Sequence, residues 1–422
     1  MTDPAALLRK LFDTAVATAD PMRVIAPNLP PPPKGRLIVI GAGKASARMA
    51  EAVEAHYGPC AGLVITRYGH ARPCTGIEIV EAAHPVPDAA GAAATARMLA
   101  LLDGLGPDDL VIALISGGGS ALLCAPAQGL SLEEKQAINA ALLASGAPIS
   151  AMNTLRKHIS GVKGGQLAAR AAPARMLALL ISDVPGDDPA MIASGPTVGD
   201  DSTAGDALAI AERWRITLPD NLRAALLRGR TGVVPRNDPR LAHGETRVIA
   251  APAQSLQAAA KVARSEGWQV IVLGDAIEGE AREVGAAHAH LAKGIAAALG
   301  PGARPVLLLS GGELTVTRRG DGIGGPNAEF ALAAALELGG APGIHLLAGD
   351  TDGVDGAAEV AGALIGPDIL TRARAAGLDA AEALARNDSH GFFGATQAQL
   401  ITGPTLTNVN DFRAIAILPP RG

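Results

Sequence analysis

Short apolar runs that end in glycine alternate along this chain with segments whose apolar residues recur every three or four positions. Leu7, Leu8, Leu11, Phe12, Ala15 and Val16 have helical spacing behind Thr2-Asp3-Pro4, a capping residue with proline in the first turn. Pro27–Pro33 reads as an extended connector. The runs Arg36–Ile40, Leu63–Ile65, Ile77–Glu81, Leu110–Leu114 and Met176–Ile181 predict buried strands. Helices are predicted from Ser46 to about His56, after Asp88 to about Leu105, behind the Ser131–Glu134 capping box to about Ala144, and from Pro148. Helices near Ala204–Arg213 and Pro219–Leu227 close this half, and Gly229–Gly244 reads as the boundary. Strands at Arg247–Ala251, Gln269–Leu273, Val306–Leu309 and Ile344–Leu347 then restart the alternation, with helices near Ser255–Glu266 and Glu280–Leu299. Leu314–Thr317 alternates and reads as a hairpin arm that makes the second sheet mixed. Strand–helix alternation in both halves predicts an α/β protein.

The glycines sit at strand ends, where such sheets hold ligands. Ile115-Ser116-Gly117-Gly118-Gly119-Ser120 follows one strand, and Ser310-Gly311-Gly312-Glu313 ends another. Consecutive glycine amides can converge on an anion. A plain strand-to-helix turn explains the same pattern. Gly41-Ala42-Gly43-Lys44-Ala45-Ser46 opens a helix and offers a phosphate site, with Lys44 as a point charge or as a solvent-facing lysine. It is not a dinucleotide fingerprint, because Ser46 replaces the third glycine and the next strand ends in Thr66-Arg67. Nor is it a Walker A loop, since no Ser or Thr follows Lys44.

Other polar residues cluster between the runs. His84 is held in His-Pro-Val-Pro-Asp and meets either substrate or a structural partner. Asn153, Arg156, Lys157 and Ser160 share one helix face beside Lys163, which makes either an anion surface or a solvated face. Asp183, Asp187 and Asp188 follow a buried strand, where carboxylates either cap turns or hold Mg²⁺. In the second half the polar clusters are Asn327 with Glu329, Asp350 with Asp352 and Asp355, and Asn387-Asp388. The aspartate loop is not a calcium hand, because Ala361 stands at its twelfth position.

Composition narrows the chemistry. The 422 residues are 48% hydrophobic but 2% aromatic, so the core is aliphatic. A net charge of −5 without a basic stripe argues against nucleic-acid binding. Three cysteines without metal spacing, no signal-like N-terminus and no bilayer-length apolar run predict a cytoplasmic protein without membrane attachment.

Taken together, GAGKAS (41–46), HPVPD (84–88), SGGGSALL (116–123), MNTLRKHIS (152–160), KGGQLA (163–168), ISDVPGDD (181–188), IASGPT (192–197), LSGGELTV (309–316), GGPNAEFAL (324–332), AGDTDGVDG (348–356), ND (387–388) and TGPTLTNVND (402–411) resemble the glycerate 2-kinase family. The resemblance implies an N-terminal Rossmann-like three-layer domain with a mainly parallel sheet, residues 1–240. It implies a C-terminal three-layer, MOFRL-containing α/β domain with a mixed sheet, residues 241–422. The implied reaction is ATP-dependent phosphorylation of D-glycerate at its 2-hydroxyl, with Mg²⁺, in the cleft between domains. Small-molecule substrate and ATP are the implied partners, and a homodimer is left open.

The resemblance makes Lys44 the catalytic lysine, and Asp183 is the first choice of base. Gly43, Ser46, His84, Ser116, Gly117, Gly118, Gly119, Ser120, Asn153, Arg156, Lys163, Ser310, Gly311, Gly312, Glu313, Asn327, Glu329 and Asn387 are expected to bind substrate or nucleotide. Asp183, Asp187, Asp350 and Asp352 are the candidate metal ligands. Such proteins often carry an arginine in the glycine loop before the Asn-Glu helix. Here that loop holds Ile323 and Pro326, with Arg318 and Arg319 upstream. Leu406 stands where the resemblance leads one to expect glycine. The alternative reaction is NAD(P)H-dependent reduction of hydroxypyruvate. A third reading is a nucleotide-binding protein without turnover.

Overall fold

The computed structural model describes residues 3–356 and 358–420. It divides into two compact units, Pro21–Ile249 and residues 1–20 with 250–422.

The first unit is built on strands β1 (Leu37–Ala42), β2 (Ala61–Arg67), β3 (Ile77–Ala82), β4 (Leu110–Ile115), β5 (Arg175–Ile181) and β6 (Gly244–Ala250), in the order β3-β2-β1-β4-β5-β6. Strands β1 to β5 are mutually parallel. Every residue of β4 is buried, as a central strand covered on both faces requires. Parallel pairing sends all five strand ends to one edge, so the loops after β1, β3, β4 and β5 become neighbours. The predicted boundary at Gly229–Gly244 precedes β6, yet β6 completes the first sheet. The chain therefore leaves this unit only after Ile249. The connector near Pro27 begins with a 3₁₀ turn, Ala26–Asn28.

The second unit contains β7 (Gln269–Gly274), β8 (Gly279–Glu280), β9 (Val306–Gly312), β10 (Leu314–Thr315), β11 (Ile344–Asp350), β12 (Gly362–Ile365), β13 (Gln399–Leu400) and β14 (Asp411–Ile417). Six of these form a sheet in the order β13-β12-β11-β14-β9-β7. Only the β7–β9 pairing is parallel; the others are antiparallel. The sheet is mixed as expected, but for another reason than the one read from Leu314–Thr317. Leu314–Thr315 pairs with Gly279–Glu280 in a separate two-stranded ribbon, and the antiparallel pairings come from β11, β12, β13 and β14.

Side-chain alternation gives this sheet two faces. Val306, Leu308, Leu346 and Ile415 pack with the helices Ala281–Ala298 and Pro326–Leu338. Leu307, Leu309, Leu347 and Ala414 pack with Pro252–Ser265 and with Leu7, Leu8, Leu11 and Phe12 of the helix Pro4–Thr18. The Phe12 and Phe412 rings meet edge-to-face at 5.9 Å. The first helix, grouped by sequence with residues 1–240, thus belongs to the C-terminal core, because its apolar stripe covers that sheet. Asp3 caps it by accepting from the Ala6 amide; Thr2, the other residue of the predicted start, lies outside the described residues.

Candidate active site

In the first unit the loop after β4 is wedged against the loop after β1. The Lys44 amide donates to the Gly117 carbonyl at 2.8 Å. A Cβ on Gly43 would stand 2.1 Å from the Ser116 hydroxyl, so this approach requires glycine. Ser116 is fully buried; its hydroxyl accepts from the Ala45 amide at 3.0 Å and lies 3.1 Å from that of Ser46. Ser46 in turn donates to the Leu114 carbonyl. Both serines, read as candidate ligand contacts, lock the two loops together.

Gly118 is left-handed (φ 78°) and caps the short helix Gly119–Leu122. Among the described residues the Gly117 and Gly118 amides donate to no protein acceptor, leaving two adjacent donors for an anion. A Cβ on Gly118 would lie 3.0 Å from the His84 ring and 3.2 Å from Cγ of Lys44. His84 and Lys44 thus approach the same glycine from the loops after β3 and β1. Gly119 packs against the Ala42 carbonyl and Ala193.

Ser120 joins a buried hydroxyl chain. Its Oγ lies 2.9 Å from that of Ser194, which donates to Oδ1 of Asn153 at 2.9 Å. Lys163, 1% exposed, donates to the carbonyls of Ser120 (2.8 Å) and Leu123 (3.2 Å). Burial pushes its ammonium well below the usual lysine range. Asn153 and Lys163 therefore hold the loop's shape from behind. Arg156 is half-buried, its pKa lowered by burial, and it pairs with no carboxylate among the described residues. It lines a cavity of about 580 Å³ together with His84, Gly118 and Ser120.

After β5, Asp187 is left-handed (φ 53°), and its Oδ1 is buried without a partner. Asp188 caps the following turn through the Ala190 amide. Among the described residues no three His, Cys, Asp or Glu side chains gather as a metal cage.

In the second unit the glycine end of β9 is fixed by a residue that the sequence reading passed over. Arg413, 1% exposed on β14, donates to the carbonyls of Gly311 (3.2 Å) and Gly312 (2.8 Å), pairs with Asp411, and stacks over Phe330. Ser310 is buried opposite Arg413, whereas Glu313 is exposed. A charged residue inside the apolar strand Asp411–Ile417 was the available signal. Asn327 starts the helix Pro326–Leu338. Its amide donates to Asp355, its side chain to Asp411 at 2.6 Å, and His390 also meets Asp355. Fully buried Glu329 pairs with Arg282 and accepts from Asn387 at 2.9 Å. Oδ1 of Asn387 accepts from the Arg319 and Gly320 amides at 2.7 and 3.0 Å. Glu329 and Asn387 thus anchor the loop before the helix. Asp350 and Asp352 bond within their own turn through the amides of Asp352 and Val354. Leu406 has φ 62°, so the position does adopt a glycine-like conformation, and a leucine occupies it.

The fold and first-unit site define a two-unit α/β protein that gathers a lysine, an arginine and loop amides at one sheet edge. The chain matches the DUF4147 model, a domain of unknown function, over residues 7–227 and the MOFRL family over 306–411. It is 38% identical to the D-glycerate 2-kinase of Thermotoga maritima, over 97% of this chain and 98% of that protein. A crystal structure of glycerate kinase from the same organism superposes with a TM-score of 0.87, at 38% identity over 98% of this chain and 99% of that one. An Agrobacterium vitis protein provisionally named a hydroxypyruvate reductase is 52% identical over 97% of this chain and 94% of its own length. The chain belongs to the glycerate 2-kinase family.

Proposed function

We propose that this chain transfers the γ-phosphoryl group of ATP to the 2-hydroxyl of D-glycerate, giving 2-phosphoglycerate and ADP. The observation that carries this reading is the approach of Lys44 and His84 to Gly118, where two loop amides are open. Phosphoryl transfer relies on positioning and charge neutralisation rather than covalent catalysis. The Gly117 and Gly118 amides hold one anionic group. Lys44 neutralises charge building on the transferred phosphoryl oxygens. Arg156 supplies a second fixed positive charge. As the phosphorus–oxygen bond to ADP breaks, one forms to the glycerate 2-oxygen, and Asp183 accepts the proton that this oxygen loses.

The orphaned, buried Oδ1 of Asp187 suits Mg²⁺, which takes one or two carboxylates alongside substrate phosphates rather than a protein cage. Asp187, with Asp183 as the second candidate ligand, would hold the ion, which would neutralise phosphate charge.

The reductase reading draws on the name of the Agrobacterium relative. Against it, Ser46 occupies the third-glycine position with its hydroxyl tied to Leu114, and β2 ends in Thr66-Arg67 without an acid for a ribose. Two parallel assays separate the readings. The kinase reading requires glycerate-dependent ADP formation and no NADH or NADPH oxidation with hydroxypyruvate. The reverse result overturns it.

A further inference from the structure

The loop after β5 serves two places in the first unit. Ser194 bonds Ser120 and Asn153, and Ala193 packs on Gly119, so one stretch of it braces the glycine loop after β4. A few residues on, Thr197, Val198 and Gly199 line a separate cavity of about 400 Å³, together with Asp188, Arg236 and Thr246. The backbone around this stretch is closely held. The carbonyls of Ser194, Gly195 and Pro196 accept from the amides of Gly164, Gly165 and Ala168, and a Cβ on Gly199 would stand 2.6 Å from Cα of Arg236. Yet the amides of Thr197, Val198 and Gly199 donate to no protein acceptor among the described residues. Thr197 is only 7% exposed; its hydroxyl keeps accessible surface and has no protein partner among the described residues either. Buried polar groups are ordinarily hydrogen-bonded, so this hydroxyl and these amides call for an acceptor from outside the chain.

Successive open amides form a nest for an oxyanion. Arg236 adds the positive charge. Its guanidinium is 66% exposed and 3.4 Å from Asp201, a surface pair loose enough for a ligand phosphate to compete with. Asp188 brings a carboxylate to the same cavity, and only its Oδ1 is engaged, by the Ala190 amide. A bare anion would meet repulsion there, whereas a ligand hydroxyl could donate to the second oxygen.

We propose that this cavity binds a small phosphate ester that carries a free hydroxyl. The phosphate sits on the 197–199 amides and the Thr197 hydroxyl, with Arg236 as its counter-charge. The hydroxyl donates to Asp188, and Leu241 lies along the carbon stem. None of these groups enters the transfer chemistry assigned to Lys44, so the site stands or falls apart from the kinase reading.

Titration calorimetry of the full chain with 3-phospho-D-glycerate tests it, in wild type and three variants. Arg236→Gln removes an exposed charge, and Thr197→Val removes a hydroxyl while keeping the side chain's shape. Each weakens binding at least tenfold and leaves the melting temperature, kcat and the KM values for glycerate and ATP close to wild type. Lys44→Ala binds within twofold of wild type. The 2-deoxy analogue, 3-phosphonooxypropanoate, binds wild type at least tenfold more weakly than 3-phospho-D-glycerate. No saturable binding to wild type, an unchanged affinity in folded Arg236→Gln or Thr197→Val, or a loss in Lys44→Ala instead overturns the site. Equal affinity for the deoxy analogue overturns the Asp188 contact.

Discussion

The side-chain nitrogen of Lys163 lies 2.8 Å from the carbonyl oxygen of Ser120, deep behind the glycine loop after β4. The bond fixes the backbone that carries the open Gly117 and Gly118 amides, although Lys163 itself is sealed from solvent. Lys163→Met would leave two buried carbonyls without a donor. It is predicted to destabilise the protein by about 2 kcal/mol in urea titrations. Because the loop shifts with it, kcat should also fall, on the order of 10²-fold. A variant with wild-type kcat would show that the loop keeps its shape unaided.

Lys135 is equally buried but less well paired, its ammonium 3.3 and 3.4 Å from the carbonyls of Ala125 and Ile159. Burial lowers its pKa to about 8, with the nearby Arg156 charge adding to the effect. The unfolded chain, near the ordinary lysine value of about 10.4, holds its proton longer. Between those values the unfolded state binds more protons, so stability rises with pH across the window and the full penalty stands below it. The penalty at neutral pH is on the order of 3 kcal/mol. Lys135→Met should raise the melting temperature at pH 7 and flatten its rise between pH 8 and 10. A lower melting temperature at pH 7 would mean that the two carbonyl contacts outweigh desolvation.

Glu329 sits between Arg282 and Asn387, and Asn387 holds the amides of Arg319 and Gly320. Glu329→Ala leaves Arg282 with Glu280, 3.7 Å away, as its remaining carboxylate, so it should cost about 3 kcal/mol or less in denaturant titrations. Asn387→Ala frees the loop and takes one hydrogen bond from Glu329 while leaving its ion pair with Arg282, so it should speed proteolytic cleavage near Arg318 and Arg319 with a smaller loss of stability. Equal cleavage rates in wild type and Asn387→Ala would contradict the anchor.

Leu406 holds a left-handed conformation that disfavours side chains by about 1–2 kcal/mol, and β-branching makes it worse. Its side chain is half-buried, so glycine gains backbone freedom but loses packing. Leu406→Gly should therefore stay within about 1 kcal/mol of wild type, whereas Leu406→Ile should be less stable than Leu406→Gly by about 1–2 kcal/mol. Thermal melts of the pair decide it.

Strand interiors such as Leu110–Leu114 and Met176–Ile181 were legible because a fully buried parallel strand must be continuously apolar. The glycine loops were legible as strand ends for the same reason. What escaped was set by long-range packing. No local signal says that Leu7–Phe12 covers β9, β11 and β14, that β6 joins the first sheet, or that β8 draws β10 away from the second. Side-chain roles divided in the same way. The sequence singled out Asn327, Glu329 and Asn387 as unusual polar residues, but only tertiary contacts reveal that Asn387 bonds Glu329 and that Asn327 bonds Asp355 and Asp411.

The central claim is that Lys44 promotes phosphoryl transfer to the 2-oxygen of glycerate. NMR analysis of the product formed from D-glycerate and ATP, timed for wild type and Lys44→Ala, tests it most directly. The account predicts a phosphate on carbon 2, formed on the order of 10²–10³-fold more slowly by the folded variant. A phosphate on carbon 3, or a rate within a few-fold of wild type for Lys44→Ala, would contradict it.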